Sequence, residues 1–349
     1  MSGRQTRIFL SFAPAARANY YGDRALAALR ALGTVRLNES ASPLDTEALV
    51  DAARDCAAIV SDRQTPGSAG LFAASPDLVV FMRCAVDIRN VDVTAASAHG
   101  VLVTQASAGF TTAVAEWIVG AMVDLGRGIS RHVLAYRAGR APAVAMGREL
   151  RGATLGVIGY GRIGRRLGEL ARALDMRVVV ADPFATVDET GIEQAGLDEV
   201  VAAADWLVCL APARPDTENL MDDARFARMK PGAFFVNAAR GELVDEAALL
   251  RALDSGRLAG CALDVGRAPD QMPSPALTGH PRVIATPHIG GLTQPAVEHQ
   301  ALETVAQLAE LLRGGLPTGA VNPAEATRLS RLRSEEDPSR SAPASTRMP

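Results

Sequence analysis

Residues 154–182 read TLGVIGYGRIGRRLGELARALDMRVVVAD, and the order of residue types in this stretch decides the fold. A short apolar run, Leu155 to Ile158, leads directly into Gly159-x-Gly161-x-x-Gly164. An amphipathic segment follows, with Ile163, Leu167, Leu170, Ala171 and Leu174 on one helical stripe, and a second apolar run, Val178 to Ala181, ends on Asp182. Strand, glycine turn, helix, strand and terminal acid describe a dinucleotide site. Gly159 permits the tight turn, Gly161 lets backbone approach a pyrophosphate, and Gly164 lets the helix pack closely. The N–H groups at the helix start, together with the positive end of its dipole, suit phosphates.

Asp182 bears on which dinucleotide is taken. A carboxylate at the end of the second strand accepts hydrogen bonds from an adenosine ribose diol and repels a 2′-phosphate. The residues that follow, Pro183-Phe184-Ala185-Thr186, contain no arginine to receive such a phosphate. The expected cofactor is therefore NAD rather than NADP. The alternative for Asp182 is a turn acid ahead of Pro183.

Outward from this unit, strand-like and helix-like stretches alternate. Trp206–Leu210, Ala233–Asn237, Cys261–Val265 and Val283–Thr286 continue the strand series, with helical stretches such as Glu246–Leu253 between them. The first hundred residues carry a weaker version of the same rhythm. Arg7–Phe12, Val35–Leu37, Ala57–Ser61, Leu78–Met82 and Val101–Val103 are strand-like, and Asp23–Leu32 and Asp45–Ala53 are helical. This alternation predicts an α/β protein of two doubly wound parallel-sheet domains with a cleft between them. A helical stretch over Thr112–Tyr136 precedes the glycine loop. The tail from about Ala324 is poor in large apolar residues and is expected not to fold.

With 349 residues, 48% of them apolar and 21% charged, the chain can bury a substantial core. A net charge of −3 gives no electrostatic case for nucleic acid or an anionic membrane. Cys56, Cys84, Cys209 and Cys261 lie far apart without a CxxC pair, which fits buried thiols in a reducing compartment and predicts no metal site. No run of 18 apolar residues is present to span a bilayer. Arg4 and Arg7 ahead of IFLSFAPAARA have the outline of a secretion signal, but the apolar stretch Ile8–Phe12 is too short for one. It is better explained as a first strand, and a cytoplasmic protein is expected.

Several stretches resemble the D-isomer-specific 2-hydroxyacid dehydrogenase family, in particular its phosphoglycerate-dehydrogenase-like branch. They are NVDVTAASAHGVLVT (90–104), TTAVAEW (111–117), GRELRGATLGVIGYGRIG (147–164), MKPGAFFVNAARGELVDEAAL (229–249) and TPHIGG (286–291), the last two being the specific ones. The resemblance implies a Rossmann cofactor domain over 104–290 inserted into a flavodoxin-like substrate domain made of 1–103 and 291–323, with 324–349 as the tail. It implies that Thr293–Leu312 returns to the substrate domain, and that helix 112–136 forms a homodimer interface. The activity it implies is NAD-dependent oxidation of a D-2-hydroxy acid, or reduction of the 2-oxo acid. Candidate substrates are 3-phosphoglycerate, glyoxylate and hydroxypyruvate, with formate or phosphite further off. The family also contains dinucleotide-binding corepressors, so a regulator with little turnover is the alternative. Retention of Arg240 and His288 argues against it.

Such a reaction needs a base, a cation and an oriented nicotinamide. Of five histidines only His288 ends an apolar strand, between Pro287 and a glycine pair, and imidazole ordinarily titrates near about 6.5. His99, His132, His280 and His299 match no catalytic motif. Arg240 follows the Ala233–Asn237 strand, where doubly wound sheets bind ligands, and its guanidinium can grip a carboxylate bidentately. Asp264 matches the family residue that contacts the nicotinamide carboxamide, with a turn-capping acid as the alternative. Arg162, Ile163, Thr217, Ala238 and Gly290 complete the implied cofactor contacts, beside Gly159, Gly161, Gly164 and Asp182.

The chain departs from the family in two places. The segment D-V-F-x-x-E-P, whose Glu pairs with the catalytic His, here reads Asp264-Val265-Gly266-Arg267-Ala268-Pro269-Asp270-Gln271, with Pro269 in the Glu position. Asp270 is the expected replacement partner for His288, and Gln271 the neutral alternative. A carboxylate partner raises an imidazole pKa and an amide does not. The Gly-x-Gly substrate turn is replaced by Ala85-Val86-Asp87. The Asp87 charge then points away, pairs with Arg83 or Arg89, or selects a cationic substrate. Arg63 roughly matches a loop arginine that contacts substrate in phosphoglycerate-using members, and is otherwise a solvated surface residue.

Overall fold

The computed structural model describes residues 5–332, apart from the side chain of Asp270. Among the described residues the chain divides into two compact units, one made of 5–109 with 294–332 and the other of 110–293. These boundaries lie a few residues beyond those expected at 103/104 and 290/291. The reason is that the strand ending at Gln105 completes the first sheet, so the chain leaves that unit only afterwards.

The first unit holds β1 (Arg7–Leu10), β2 (Thr34–Leu37), β3 (Ala58–Ser61), β4 (Val80–Arg83) and β5 (Leu102–Gln105), all parallel, in the order β2-β1-β3-β4-β5. This is the flavodoxin-like winding. Alternation along each strand sends Ile8, Leu10, Val60, Val80 and Met82 to one core, and Phe9, Ile59, Phe81 and Val103 to the other. Helix Asp23–Leu32 and the returning helix Gln294–Leu312 cover the first face. Leu71, Phe72 and Ala96 cover the second.

The second unit holds β6 (Thr154–Ile158), β7 (Arg177–Ala181), β8 (Ile192–Gln194), β9 (Trp206–Cys209), β10 (Ala233–Asn237), β11 (Leu258–Leu263) and β12 (Val283–Ala285). All are parallel, in the order β12-β11-β10-β9-β6-β7-β8. Winding reverses between β6 and β9, which makes the carboxyl ends of those strands the expected ligand crevice. Both faces are covered, one by Val114, Ile118, Met122 and Leu167, the other by Val200, Phe226 and Leu249.

Two expectations require correction. The stretch 112–136 is two helices, Thr111–Arg127 and Ile129–Arg137, because Gly128 adopts a left-handed φ of 63° and ends the first. The tail also begins to fold. Residues Thr327–Leu332 form a 3₁₀ helix, with Ala326 and Leu332 buried against the first unit. Arginine accomplishes here what large apolar residues do elsewhere. Arg328 Nη1 donates to the carbonyls of Ser75 (2.9 Å) and Leu78 (2.8 Å), satisfying groups at the end of helix Ala69–Ala74. Residues 333–349 lie outside the described residues.

Candidate functional site

The glycine loop follows from steric necessity at two positions and leaves space at the third. Gly159 has φ +93°, and a Cβ there would lie 2.7 Å from the backbone of Leu210 and Ala211. A Cβ on Gly164 would lie 2.7 Å from the Gly159 carbonyl oxygen, so this glycine serves the turn more than the contact with the sheet. Gly161 has nothing within 4 Å of its Cβ direction and stands at the N-cap of helix Arg162–Ala173, which no side chain caps. Open space over uncapped helical N–H groups is what a pyrophosphate needs. Arg162 at the first helical position is exposed and Ile163 half-buried. The Arg165 guanidinium lies 4.8 Å over the Tyr160 ring and pairs with Glu189, which braces the loop from the side.

Asp182 ends β7 and is tied into the same turn. Its Oδ2 accepts the Tyr160 N–H (2.8 Å), and its Oδ1 accepts the N–H groups of Phe184 (2.8 Å) and Ala185 (3.1 Å). The turn-acid alternative therefore describes part of its role. A carboxylate has about four lone-pair positions, so three bonds leave room for a ribose hydroxyl. Thr217 closes its own loop, its hydroxyl donating to the Pro212 carbonyl (2.8 Å) and accepting from the Arg214 N–H (2.8 Å).

Three strands further along the sheet, β10, β11 and β12 deliver Arg240, Asp264 and His288 at adjacent carboxyl ends. Buried Asn237 shapes the first turn: its Nδ2 donates to the Arg240 carbonyl (2.8 Å) and its Oδ1 accepts the Ala239 N–H (3.1 Å). Half-buried Ala238 lies between them. Arg240 Nη1 donates to the Ala239 carbonyl at 2.6 Å. Asp264, 3% exposed, shapes the turn that carries the histidine. Its Oδ1 accepts the Thr286 hydroxyl (2.6 Å) and the Ile289 N–H (2.8 Å), and its Oδ2 accepts the Gly290 N–H (2.7 Å). These contacts fit the turn-capping alternative for Asp264. His288 itself, half-buried, is held at φ +56°, a left-handed conformation uncommon outside glycine and often found at functional positions. Asn237 and Thr286 were not singled out from sequence; each stands inside a quoted motif, the only signal that could have drawn attention to it.

The altered segment after Asp264 forms a closed loop. Gly266 N–H donates to the Gln271 carbonyl (2.8 Å), Ala268 N–H to the Met272 carbonyl (3.0 Å), and Pro269–Gln271 makes one 3₁₀ turn with Gln271 at φ +59°. Arg267 pins this loop, pairing with Glu218 (2.8 Å) and donating to Asn219 Oδ1 (2.6 Å) and the Glu242 carbonyl (2.9 Å). Asp270 sits in the middle of the 3₁₀ turn, and its side chain lies outside the described residues.

In the first unit, Arg63, Ala85, Val86 and Asp87 occupy the carboxyl ends of β3 and β4. Asp87 pairs with Arg89: Arg89 Nε and Nη2 reach its Oδ2 at 3.0 and 2.8 Å, and the Arg89 N–H reaches Oδ1 at 3.0 Å. Val86 is exposed, and the half-buried Ala85 gives its carbonyl to the Ala106 N–H (3.1 Å). Arg63 is exposed, and its carbonyl accepts from Asn90 Nδ2 (3.1 Å). Arg83 is fully buried, its Nη2 donating to the Thr65 carbonyl (3.0 Å) and Asn90 Oδ1 (2.6 Å). Burial pulls its pKa down to about 10.

A doubly wound sheet with an open glycine loop at its point of reversal defines a Rossmann-type dinucleotide-binding protein. Residues 119–290 match the family model described as "D-isomer specific 2-hydroxyacid dehydrogenase, NAD binding domain". D-3-phosphoglycerate dehydrogenase of Rattus norvegicus is 36% identical over 284 residues, 80% of this chain and 53% of that protein. The chain thus spans about half the length of the curated relatives it matches. Among solved structures, a Thermus thermophilus protein matches with a TM-score of 0.81 and 28% identity, covering 90% of this chain and 100% of that one. A glyoxylate reductase from Paecilomyes thermophila matches with a TM-score of 0.78 and 25% identity, covering 92% and 99%. The chain belongs to the D-isomer-specific 2-hydroxyacid dehydrogenase family, and its second unit is that family's NAD-binding domain.

Proposed function

We propose that the protein is an NAD-dependent D-2-hydroxyacid dehydrogenase that also works in reverse as a 2-oxoacid reductase. The observation that carries this reading is the delivery of Arg240 and His288, each on a turn tied down by a buried polar residue, to the carboxyl ends of β10 and β12, on either side of β11, in the sheet that holds the glycine loop. The N–H groups around Gly161 and the remaining acceptor position on Asp182 hold the dinucleotide, with Arg162, Ile163, Thr217, Ala238, Asp264 and Gly290 lining its path. NAD bound there supplies the hydride acceptor. Arg240 grips the substrate carboxylate and polarises the C2 oxygen through its planar fork. His288 takes the hydroxyl proton during oxidation and returns it during reduction. Asp270, in the 3₁₀ turn that replaces the family's Glu segment, is the carboxylate we assign to His288.

The first unit, with Arg63, Ala85, Val86 and Asp87 at its strand ends, is the substrate domain in this reading. The substrate is a small 2-hydroxy acid, with 3-phosphoglycerate, glyoxylate and hydroxypyruvate as the candidates; relatives described as phosphoglycerate dehydrogenase and glyoxylate reductase support that class. A homodimer is supported by the exposed apolar side chains Ile129, Val133, Leu134 and Tyr136 on one short helix, and a monomer in sedimentation would overturn it. A cytoplasmic location is supported by four buried free thiols.

The test separates chemistry from binding. General acid–base catalysis contributes roughly 10²–10⁴-fold, so His288→Ala loses turnover by that order while NADH affinity is unchanged. Equal loss of both would remove the histidine from the mechanism.

A further inference from the structure

Three side chains at the start of helix Thr111–Arg127 meet the turn that carries His288. Phe110, Val114 and Trp117 recur at i, i+4 and i+7, which stacks them along one helical face. Ile118, Ala121 and Met122 continue that face into the core of the second unit. The first three also reach backbone. A Cβ on Gly291 would lie 3.0 Å from Phe110 Cβ and 3.8 Å from Val114 Cγ2. A Cβ on Gly290 would lie 3.6 Å from Trp117 Cγ and 2.8 Å from Asp264 Oδ2. The helix therefore bears on the glycine pair directly, with no side chain of the turn in between.

The conformation beside this contact is one that needs support. His288 is held at φ +56°, and such left-handed residues persist only where their surroundings over-determine them. The His288 N–H donates to the Thr286 carbonyl (2.9 Å), so the turn is tight and a shift at Gly290 is passed back to the imidazole. Asp264 draws Gly290 in through a hydrogen bond from its N–H (2.7 Å). The half-buried Trp117 indole stands on the same side of Gly290 as that carboxylate and stops its approach. A bond resists separation and a packed wall resists approach, so the two together set one position.

We propose that Trp117, with Phe110 and Val114 beside it, is a positioning residue for His288: the indole is the stop against which the Pro287–Gly291 turn closes. It acts through Gly290 and not on the substrate. The inference rests on the reading of His288 as the residue that exchanges the substrate proton. Proton transfer requires the imidazole within hydrogen-bond reach, and a displacement of about 1 Å can cost about 10²-fold in rate. A wall behind this turn therefore bears on turnover, while the glycine loop and Asp182 go on holding the dinucleotide.

Three variants of the full chain test it. Trp117→Ala removes the wall and Trp117→Phe restores a ring. Leu125→Ala is the control, since Leu125 lies on the same helix but packs near Gly260 inside β11, its Cδ2 3.2 Å from where a Cβ there would sit. In Trp117→Ala, amide exchange over residues 289–291 should accelerate about tenfold or more, the scale of losing a half-buried ring. Its kcat for 2-oxo acid reduction should fall by about 10–10²-fold, with KM and NADH affinity unmoved, the pattern of a displaced catalytic group. Trp117→Phe should recover most of both losses. Leu125→Ala should lower the melting temperature yet leave the turn's exchange and kcat at wild-type values. Wild-type exchange in Trp117→Ala would overturn the proposal. So would faster exchange with unchanged kcat, an equal loss of NADH affinity, or the same kcat loss in Leu125→Ala. If the wild-type chain reduces no 2-oxo acid, the dehydrogenase reading fails, and the exchange comparison alone decides whether Trp117 holds the turn.

Discussion

Asp264→Asn tests whether the turn bearing His288 is held by one buried carboxylate. That carboxylate accepts three short bonds, from the Thr286 hydroxyl and the N–H groups of Ile289 and Gly290. An asparagine oriented to keep its oxygen on Thr286 and Ile289 turns its NH₂ toward the Gly290 N–H, donor against donor, where 2.7 Å now separates donor from acceptor. Bonds to a charged acceptor are worth about 1.5–3 kcal/mol each and neutral ones about 1 kcal/mol. One bond lost with its donor buried, and two reduced to neutral strength, together cost roughly 3–4 kcal/mol. Local opening of the turn should become about 10²-fold or more easier, since 1.4 kcal/mol is a factor of ten. Amide exchange over residues 286–291, measured by mass spectrometry, reports that opening directly, and it should accelerate by this factor while β6 and β7 exchange as before. If Ile289 and Gly290 keep wild-type protection, Asp264 does not hold the turn and the positioning role given to it for His288 fails.

The glycine loop makes opposite predictions for neighbouring positions. Gly161→Ala places its methyl in open space and should leave the melting temperature nearly unchanged while weakening NADH at least tenfold, whereas Gly159→Ala, strained at φ +93° and in backbone contact, should unfold the second unit. Equal melting temperatures for the two variants would contradict the steric reading. At alkaline pH, burial pushes the Cys84 and Cys209 thiols from 9.0 up to about 12. A folded pKa raised above the unfolded one gives stability that is whole below about 9 and is lost as pH climbs toward 12. The urea midpoint should therefore fall over that window, with a shallower fall in Cys209→Ala; parallel slopes would show that the thiol is not responsible.

Much of this architecture is legible in the chain because it is written locally. Leu155–Ile158, the three glycines and Asp182 form a contiguous pattern, and parallel strands buried on both faces appear as short apolar runs. Arg240 and His288 are visible because each follows such a run. What the chain conceals depends on distant partners. Gly128 breaks a stripe that continues apolar on either side, so periodicity passes over it. Residues 327–332 fold because the carbonyls of Ser75 and Leu78 need donors, which composition cannot register. Asp87 has three dispositions open to it in the sequence, and the contact with Arg89 selects one. Arg214 approaches Phe184 from a different loop, although the residues following Asp182 carry no arginine.

The most direct measurement is NADH oxidation by the purified full chain across glyoxylate, hydroxypyruvate, phosphohydroxypyruvate, pyruvate and bulkier 2-oxo acids, repeated with NADPH, with NADH binding measured alongside. We expect turnover with at least one small 2-oxo acid, faster with NADH than with NADPH, because in the proposed site the Asp182 carboxylate would repel a 2′-phosphate. Tight NADH binding with no turnover across the panel would contradict the assignment, and so would a preference for NADPH.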